Sequence, residues 1–335
     1  MNRITVLGAG SWGTTLAQVL TDAGNNVLLW GRNGALVEEI NHRHRNDTYL
    51  PGIILPALLR ATDDLAEAFA HSRTYVLAIP AQSLRPQLEE WKSALGRDAT
   101  IISTLKGIEV STYMRMTEVI DDVLAIDPTQ VAIITGPNLS SELALRQPAA
   151  AVAAAATDQL AHRVQKLFTT PYYRVYTSLD LVGCEMAGAV KSIIALGVGI
   201  AVGLDLGENT QAMLITRGLN EVARLGAAHG ADPLSAAGLA GMGDLVASCS
   251  SPLSRNRTFG EALGRGGTME YASAHVAMTV EGVASAGAVV ELAHRVGVEV
   301  PVIEAVADVV SSLITPMQAL DRLMEISTRS EDFIK

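Results

Sequence analysis

The sequence predicts a doubly wound α/β domain with a mostly parallel sheet, followed by an all-helical domain. Three observations carry that expectation: short apolar runs alternate with helix-length segments in the first half, a glycine-rich turn separates the first strand from the first helix, and helical spacing takes over after about Ser178. The 335 residues suit two domains, and a hydrophobic content of 49% gives each its own core. The expected division is 1–178 for the dinucleotide-binding domain and 179–335 for the helical domain. It rests on a change of period, since no low-complexity linker or internal repeat marks the boundary.

The expected strands are Ile4–Leu7, Val27–Trp30, Tyr75–Ile79, Thr100–Thr104, Val131–Thr135, Ala151–Ala155 and Tyr173–Thr177. Several are apolar throughout, the mark of strands covered on both faces. The first helix is expected over Thr14–Ala23. In the second half, long helical segments are broken by turns near Leu204–Gly207 and His229–Pro233. The run from Met186 to Leu204 is about long enough to span a bilayer. Lys191 interrupts it, however, and its Gly and Ala content suits a helix buried in protein, so no membrane span is expected.

The formal charge of -10 argues against a nonspecific nucleic-acid surface, which needs a basic face to displace counterions from phosphates. Cys184 and Cys249 lie far apart and outside any ligand spacing, so no metal site is expected, and a reducing compartment fits. Met1-Asn2-Arg3-Ile4 runs straight into a strand without the regions of a secretory leader, which points to a cytoplasmic location.

Gly8-Ala9-Gly10-Ser11-Trp12-Gly13 follows a strand and opens a helix, the context in which a G-x-G-x-x-G pattern binds a dinucleotide. Gly8 permits the tight turn, Gly10 lets the backbone approach a pyrophosphate, and Gly13 allows close packing of helix on strand. The helix N-terminus then offers free N–H groups to phosphate oxygens. The second strand ends in Trp30-Gly31-Arg32-Asn33, without the carboxylate that reads the ribose of NAD. Arg32 could meet a 2'-phosphate or lie on the adenine, so NAD and NADP are both admissible.

Lys106-Gly107 and Gly136-Pro137-Asn138 each follow a predicted strand, where ligands collect in doubly wound sheets. Lys191 has Ala187, Gly188, Ile194 and Ala195 as its helical neighbours, an apolar face for a cation. A lysine so desolvated beside a carboxylate, with Asp244 the favoured partner, can exchange a proton with a substrate oxygen. Ser254-Arg255-Asn256-Arg257 is a local cluster suited to an anion, because a guanidinium presents a planar fork of donors to phosphate oxygens. A dinucleotide loop and an anion cluster in one chain suggest a dehydrogenase acting on a small phosphorylated substrate.

These motifs, together with Thr216-Arg217-Gly218-Leu219 and the segment Gly238-Leu239-Ala240-Gly241-Met242-Gly243-Asp244-Leu245, occur in order over nearly the whole chain. The chain resembles the bacterial-type NAD(P)-dependent glycerol-3-phosphate dehydrogenases. That resemblance implies a Rossmann domain followed by an α-helical domain of the 6-phosphogluconate dehydrogenase-like type, with the active site between them. It also implies reversible reduction of dihydroxyacetone phosphate to sn-glycerol 3-phosphate for phospholipid synthesis, and a homodimer. It assigns cofactor contacts to Ser11, Trp12, Arg32, Lys106, Ser140, Arg255, Glu281 and, through its backbone, Thr279. Substrate contacts fall on Lys106, Gly136, Asn138, Asp244, Ser254, Arg255 and Asn256, and the general acid/base on Lys191.

Two positions depart from the family pattern: Ser192 replaces the usual Asn after the acid/base lysine, and Ser140 replaces the usual Ala in the Gly-Pro loop. Two other functions compete. One is a different two-domain dehydrogenase, for a 3-hydroxy acid or 6-phosphogluconate. The other is an NAD(P)-sensing regulator without turnover, which leaves Lys191, Asp244 and the Ser-Arg-Asn cluster without a task.

Overall fold

The computed structural model describes residues 1–276 and 279–325. The chain forms two compact units: Met1–Leu105 with Met116–Leu181, and Lys106–Arg115 with the residues from Val182 onward. The expected single division at 178/179 does not include the short excursion Lys106–Arg115, and residues 326–335 of the expected second domain lie outside those described.

In the first unit the strands are β1 (Arg3–Leu7), β2 (Asn26–Trp30), β3 (Arg60–Thr62), β4 (Thr74–Leu77), β5 (Thr100–Ser103), β6 (Val131–Thr135), β7 (Ala149–Ala155) and β8 (Tyr173–Ser178). They form one sheet in the order β3-β2-β1-β4-β5-β6-β7-β8. All neighbours are parallel except β6 and β7. The first six follow the Rossmann order, which reverses direction between β1 and β4 and leaves a crevice at the carboxyl end of β1. The helices are α1 (Ser11–Asp22), α2 (Gly34–Arg43), α3 (Leu65–His71), α4 (Leu84–Leu95), α5 (Met116–Leu124), α6 (Ser140–Ala144) and α7 (Asp158–Phe168). Ile4, Val6, Leu16, Leu20, Val27, Leu29 and Val76 join in one core.

Local chemistry explains where expectation and structure part. Helix α1 starts at Ser11 rather than Thr14, because Gly10 is its N-cap and the second half of the glycine loop is already helical. Strand β4 stops at Leu77, short of Ile79, because its pairing with β1 ends at Leu7 and Leu77, where β1 enters the glycine turn. Strand β3 is too short to show any alternation.

The second unit contains α8 (Leu181–Gly203), α9 (Glu208–Ala228), α10 (Asp244–Ser250), α11 (Arg255–Gly264), α12 (Met269–Val276), α13 (Glu281–Arg295), α14 (Pro301–Val310) and α15 (Pro316–Glu325). Among the described residues α8 is the one helix long and apolar enough to cross a membrane, and 89% of that window is buried inside the protein. A helix apolar all round belongs in a core. It meets α11 through four glycines. A Cβ on Gly199 or Gly203 would come within 2.1 or 2.3 Å of the carbonyl oxygens of Arg257 or Glu261, and one on Gly260 or Gly264 within 2.1 or 2.2 Å of those of Leu196 or Ile200. The two backbones therefore touch directly.

Helix α14 starts with Pro301 and has no side-chain cap of its own. Glu221 of α9 supplies one, its two oxygens accepting the N–H groups of Val302 and Ile303 at 2.8 and 3.1 Å. Burial raises its pKa to about 7.

The excursion Lys106–Arg115 joins this unit because its apolar and charged side chains find partners there. Ile108 is fully buried in the helical core, and Arg115 pairs with Glu185 of α8 at 2.7 Å.

Candidate active site

The residues singled out in the sequence form two groups, one in each unit. In the helical unit, Asp244 is buried and each of its oxygens receives a lysine: Lys106 Nζ donates to Oδ2 at 2.6 Å and Lys191 Nζ to Oδ1 at 3.0 Å. The pairing of Lys191 with Asp244 anticipated above is present. Lys106 reaches the same carboxylate from 138 positions away in sequence.

The local fold aims these groups. Lys191 projects from the middle of α8, where its helical neighbours are too small or too apolar to pair with it. Asp244 begins α10 after a π-helical turn, Leu239–Gly243, packed on the 3-10 turn Pro233–Ala237. Gly241 is required at that contact, since a Cβ there would stand 2.1 Å from the Ala236 carbonyl oxygen. Single π-turns of this kind recur at functional sites because they re-aim the residues beside them.

Sequence reasoning does not single out Ser248, which completes the cluster. Lys191 Nζ donates to its Oγ at 2.6 Å, and that hydroxyl faces Asp244 Oδ1 at 3.4 Å. Its signal in the sequence is only the i, i+4 spacing from Asp244 on one helix face.

Burial and the charge on Lys191 hold the Lys106 ammonium below the usual lysine range, against the pull of Asp244. Burial alone would raise the Asp244 carboxyl, but the two lysines more than offset it and hold it below the usual carboxylate range. The site is thus an ionised carboxylate between two amines, one easier to deprotonate than free lysine.

At the start of α11, Ser254 is the N-cap, its Oγ accepting the Arg257 N–H at 3.4 Å. Arg255 is exposed, and its Nη1 donates to the Thr279 carbonyl at 3.0 Å. Glu281, at the first turn of α13, adds favourable electrostatics. Asn256 Oδ1 accepts the Gly282 N–H at 3.1 Å. Among the described residues the Ser254 hydroxyl and the Asn256 amide donate to no partner, and the Arg255 fork has more donors than this one contact uses. Arg255, Thr279 and Glu281 are brought together; Ser192 is buried next to Lys191 on α8.

In the first unit the three glycines have three different surroundings. Gly8 has φ +120°, and a Cβ on it would come within 2.4 Å of the Ala78 carbonyl oxygen. A Cβ on Gly13 would come within 1.8 Å of the Gly8 carbonyl oxygen. A Cβ on Gly10, by contrast, would meet nothing within 4 Å among the described residues beyond its own chain neighbours. Gly8 and Gly13 are thus glycine for the fold, whereas Gly10 leaves open space beside the uncapped start of α1. That space fits a pyrophosphate approaching backbone N–H groups.

Ser11 and Ser140, far apart in sequence, share a hydrogen bond between their hydroxyls at 2.7 Å, and Thr15 Oγ1 donates to the Ser140 carbonyl at 3.2 Å. The departure at Ser140 therefore adds a side-chain link that alanine lacks. Trp12 is partly buried against the core of this unit, and Arg32 is exposed just after β2. Gly136 packs against Ala151 in a positive-φ turn. The side-chain amide of Asn138 is buried, and neither its Oδ1 nor its Nδ2 has a hydrogen-bond partner among the described residues. Buried amides are rarely left so, and a ligand is one way to complete the shell.

A Rossmann unit with an open glycine loop, joined in one chain to a helical unit holding two lysines on one carboxylate, defines a nicotinamide-dinucleotide-dependent dehydrogenase. Comparison with known proteins narrows the class. Residues 3–161 match the N-terminal and residues 180–321 the C-terminal part of the NAD-dependent glycerol-3-phosphate dehydrogenase family. Glycerol-3-phosphate dehydrogenase [NAD(P)+] from Thermobifida fusca is 50% identical over 334 residues, covering 99% of both chains. The protein of the same name from Streptomyces coelicolor is 50% identical over 329 residues, covering 98% of each. The crystal structure of glycerol-3-phosphate dehydrogenase from Coxiella burnetii has a TM-score of 0.92 at 34% identity, covering 97% of this chain and 99% of that one. This chain belongs to the NAD-dependent glycerol-3-phosphate dehydrogenase family.

Proposed function

We propose that the protein catalyses the reversible reduction of dihydroxyacetone phosphate to sn-glycerol 3-phosphate with NAD(P)H, supplying the backbone of glycerophospholipids. The observation that carries this reading is the buried pair of lysines on Asp244. A ketone becoming an alcohol gains a hydride at carbon and a proton at oxygen, and only the proton needs a protein donor. The bound nicotinamide supplies the hydride.

Lys191 gives the ketone oxygen its proton as the general acid and takes it back in the oxidative direction. Asp244 orients it and, with Ser248, keeps its ammonium directed. Lys106, on the other oxygen of the same carboxylate, places a second positive group where negative charge develops on the substrate oxygen. Arg255, with Ser254 and Asn256, holds the phosphate through charge-assisted bonds. Asn138 and the Gly136 turn complete the substrate contacts. Gly8, Gly10, Ser11, Trp12, Gly13, Arg32, Ser140, Thr279 and Glu281 serve the cofactor, and Arg32 is suited to the 2'-phosphate of NADP.

The same reading places the enzyme in the cytoplasm as a homodimer, without nucleic-acid or membrane partners. Purified protein should oxidise NADH or NADPH when given dihydroxyacetone phosphate, followed by absorbance. No turnover with either cofactor, in protein shown to be folded, would refute the assignment.

A further inference from the structure

The buried ion pair between Arg115 and Glu185 has no place in the chemistry above. Its ions stand 2.7 Å apart, with 13% and 2% of the two side chains exposed. Burying such a pair costs several kcal/mol of desolvation per ion, and apolar side chains of similar volume often stabilise as well or better. Stability is therefore a poor reason for it. Its location gives a better one.

Arg115 ends the excursion that Lys106 begins. The two ends are closed on each other: Ile108 and Arg115 form an antiparallel bridge, the Glu109 N–H donates to the Met114 carbonyl at 2.9 Å, and the Tyr113 N–H to the Glu109 carbonyl at 2.8 Å. Tyr113 has φ 63°, so the loop turns through a left-handed residue without glycine. The closed loop is pinned to two helices. Arg115 fixes it to α8, while the Ile108 N–H faces Ser285 Oγ of α13 at 3.5 Å and Arg295 of α13 lies over the Tyr113 ring at 4.1 Å.

Glu185 lies on the same helix as Lys191 and six residues before it, about 9 Å along the axis. One rigid helix therefore carries both Lys191 and the anchor of the loop that carries Lys106. We infer that the Arg115–Glu185 pair is a positioning device: it sets the register of the Lys106 loop on α8, so that Lys106 and Lys191 reach opposite oxygens of one carboxylate. Neither residue is among those proposed to hold the substrate or the cofactor. An apolar contact would hold the loop down, but a directional charged pair also fixes where along the helix it sits. The inference rests on the proposed roles of the two lysines.

The test replaces Arg115→Met and Glu185→Gln separately and reads two quantities. The first needs no substrate: the rate at which each lysine is modified by reductive methylation, mapped by mass spectrometry. Lys92 and Lys166 are exposed and serve as internal controls. In the variants Lys106 should become at least about tenfold more reactive, with Lys92 and Lys166 unchanged. The second is steady-state kinetics with dihydroxyacetone phosphate. kcat should fall about 10- to 100-fold, the size expected for misplacing a reacting group by about 1 Å, while NADH affinity stays within about twofold, and Arg115→Lys should recover part of kcat.

If either substitution prevents folding, Glu185→Asp and Arg115→Lys keep both charges and change only their reach. kcat should then fall with little change in melting temperature. Unchanged Lys106 reactivity together with unchanged kcat, in folded variants, overturns the inference. If the wild-type protein does not reduce dihydroxyacetone phosphate, the proposed function fails, and the labelling of Lys106 alone still decides whether the pair positions it.

Discussion

Replacing Asp244 by Asn keeps the shape of the side chain and removes the one charge that holds two buried ammoniums together. In the folded protein Lys106 and Lys191 then face each other across a neutral amide, with 19% and 10% of their side chains exposed. Breaking a buried ion pair by removing one partner costs about 3 to 5 kcal/mol. The loss has a ceiling, because Lys106 can give up its proton. From a reference pKa near 10.4 to pH 7 that costs at most about 5 kcal/mol, and burial already favours it.

For a unit of this size about 1 kcal/mol moves the melting temperature by roughly 2 to 4 °C, so a drop on the order of 6 to 20 °C is expected at pH 7. The pH dependence fixes the cause. The carboxyl of Asp244 is lowered in the folded state. Its stabilisation is therefore present above the unfolded value of about 3.9 and is lost as pH falls through the lower folded value. Calorimetry should show the largest gap between wild type and Asp244→Asn near about pH 5, narrowing towards about pH 8 as Lys106 gives up its proton in the variant and closing in stronger acid as Asp244 itself is protonated. The value of kcat/KM should fall at least about 10²-fold. A variant that melts with wild type and keeps a tenth or more of its turnover would refute the electrostatic account of this site.

Lys191→Met should lose at least about 10²-fold in kcat, a common size for general acid catalysis, with NADH affinity little changed by titration; retained turnover would transfer the acid to Lys106. Arg255→Ala should cost roughly 2 to 5 kcal/mol of transition-state binding and nearly abolish the preference for dihydroxyacetone phosphate over dihydroxyacetone, and an undiminished preference would move the phosphate to Lys106 or Arg257. Gly10→Ala should fold normally and bind NAD(P)H less tightly, whereas Gly13→Ala should be destabilised, because its Cβ meets the Gly8 carbonyl; calorimetry and cofactor titration separate the two, and equal effects would refute the distinction. Glu221 is raised to about 7, so folding should lose stability as pH rises from about 4.5 through 7 and level off above, by about 3 kcal/mol in all. Glu221→Gln should flatten that slope in pH-dependent denaturation, and a persisting slope would place the titration elsewhere.

Much of this was legible in the sequence because its signals are local. Apolar runs marked seven of the eight strands found among the described residues, β3 being too short to mark itself. Lys191 stood out as a lone cation on an apolar helix, and the glycine loop declared its own turn. Contacts between distant segments were not legible. Nothing near Lys106 says that it shares a carboxylate with Lys191, nothing near Ser140 says that its hydroxyl meets Ser11, and Ser248 looks like any serine until α10 turns it toward Lys191. The excursion Lys106–Arg115 was hidden for the same reason. Its period is too short to read, and its allegiance depends on where Glu185 and Ser285 lie in space.

The glycine contact between α8 and α11 has a consequence for how the molecule can change. Side chains at an ordinary helix interface give way by switching rotamers, so the spacing there can drift through mutation or thermal motion. Here main chain rests on main chain, and there is nothing to switch. Lys191 on one helix and Arg255 on the other are thus held to a fixed gauge. Directed evolution toward a longer substrate should leave these four glycines alone and look for its room in the π-helical turn before α10.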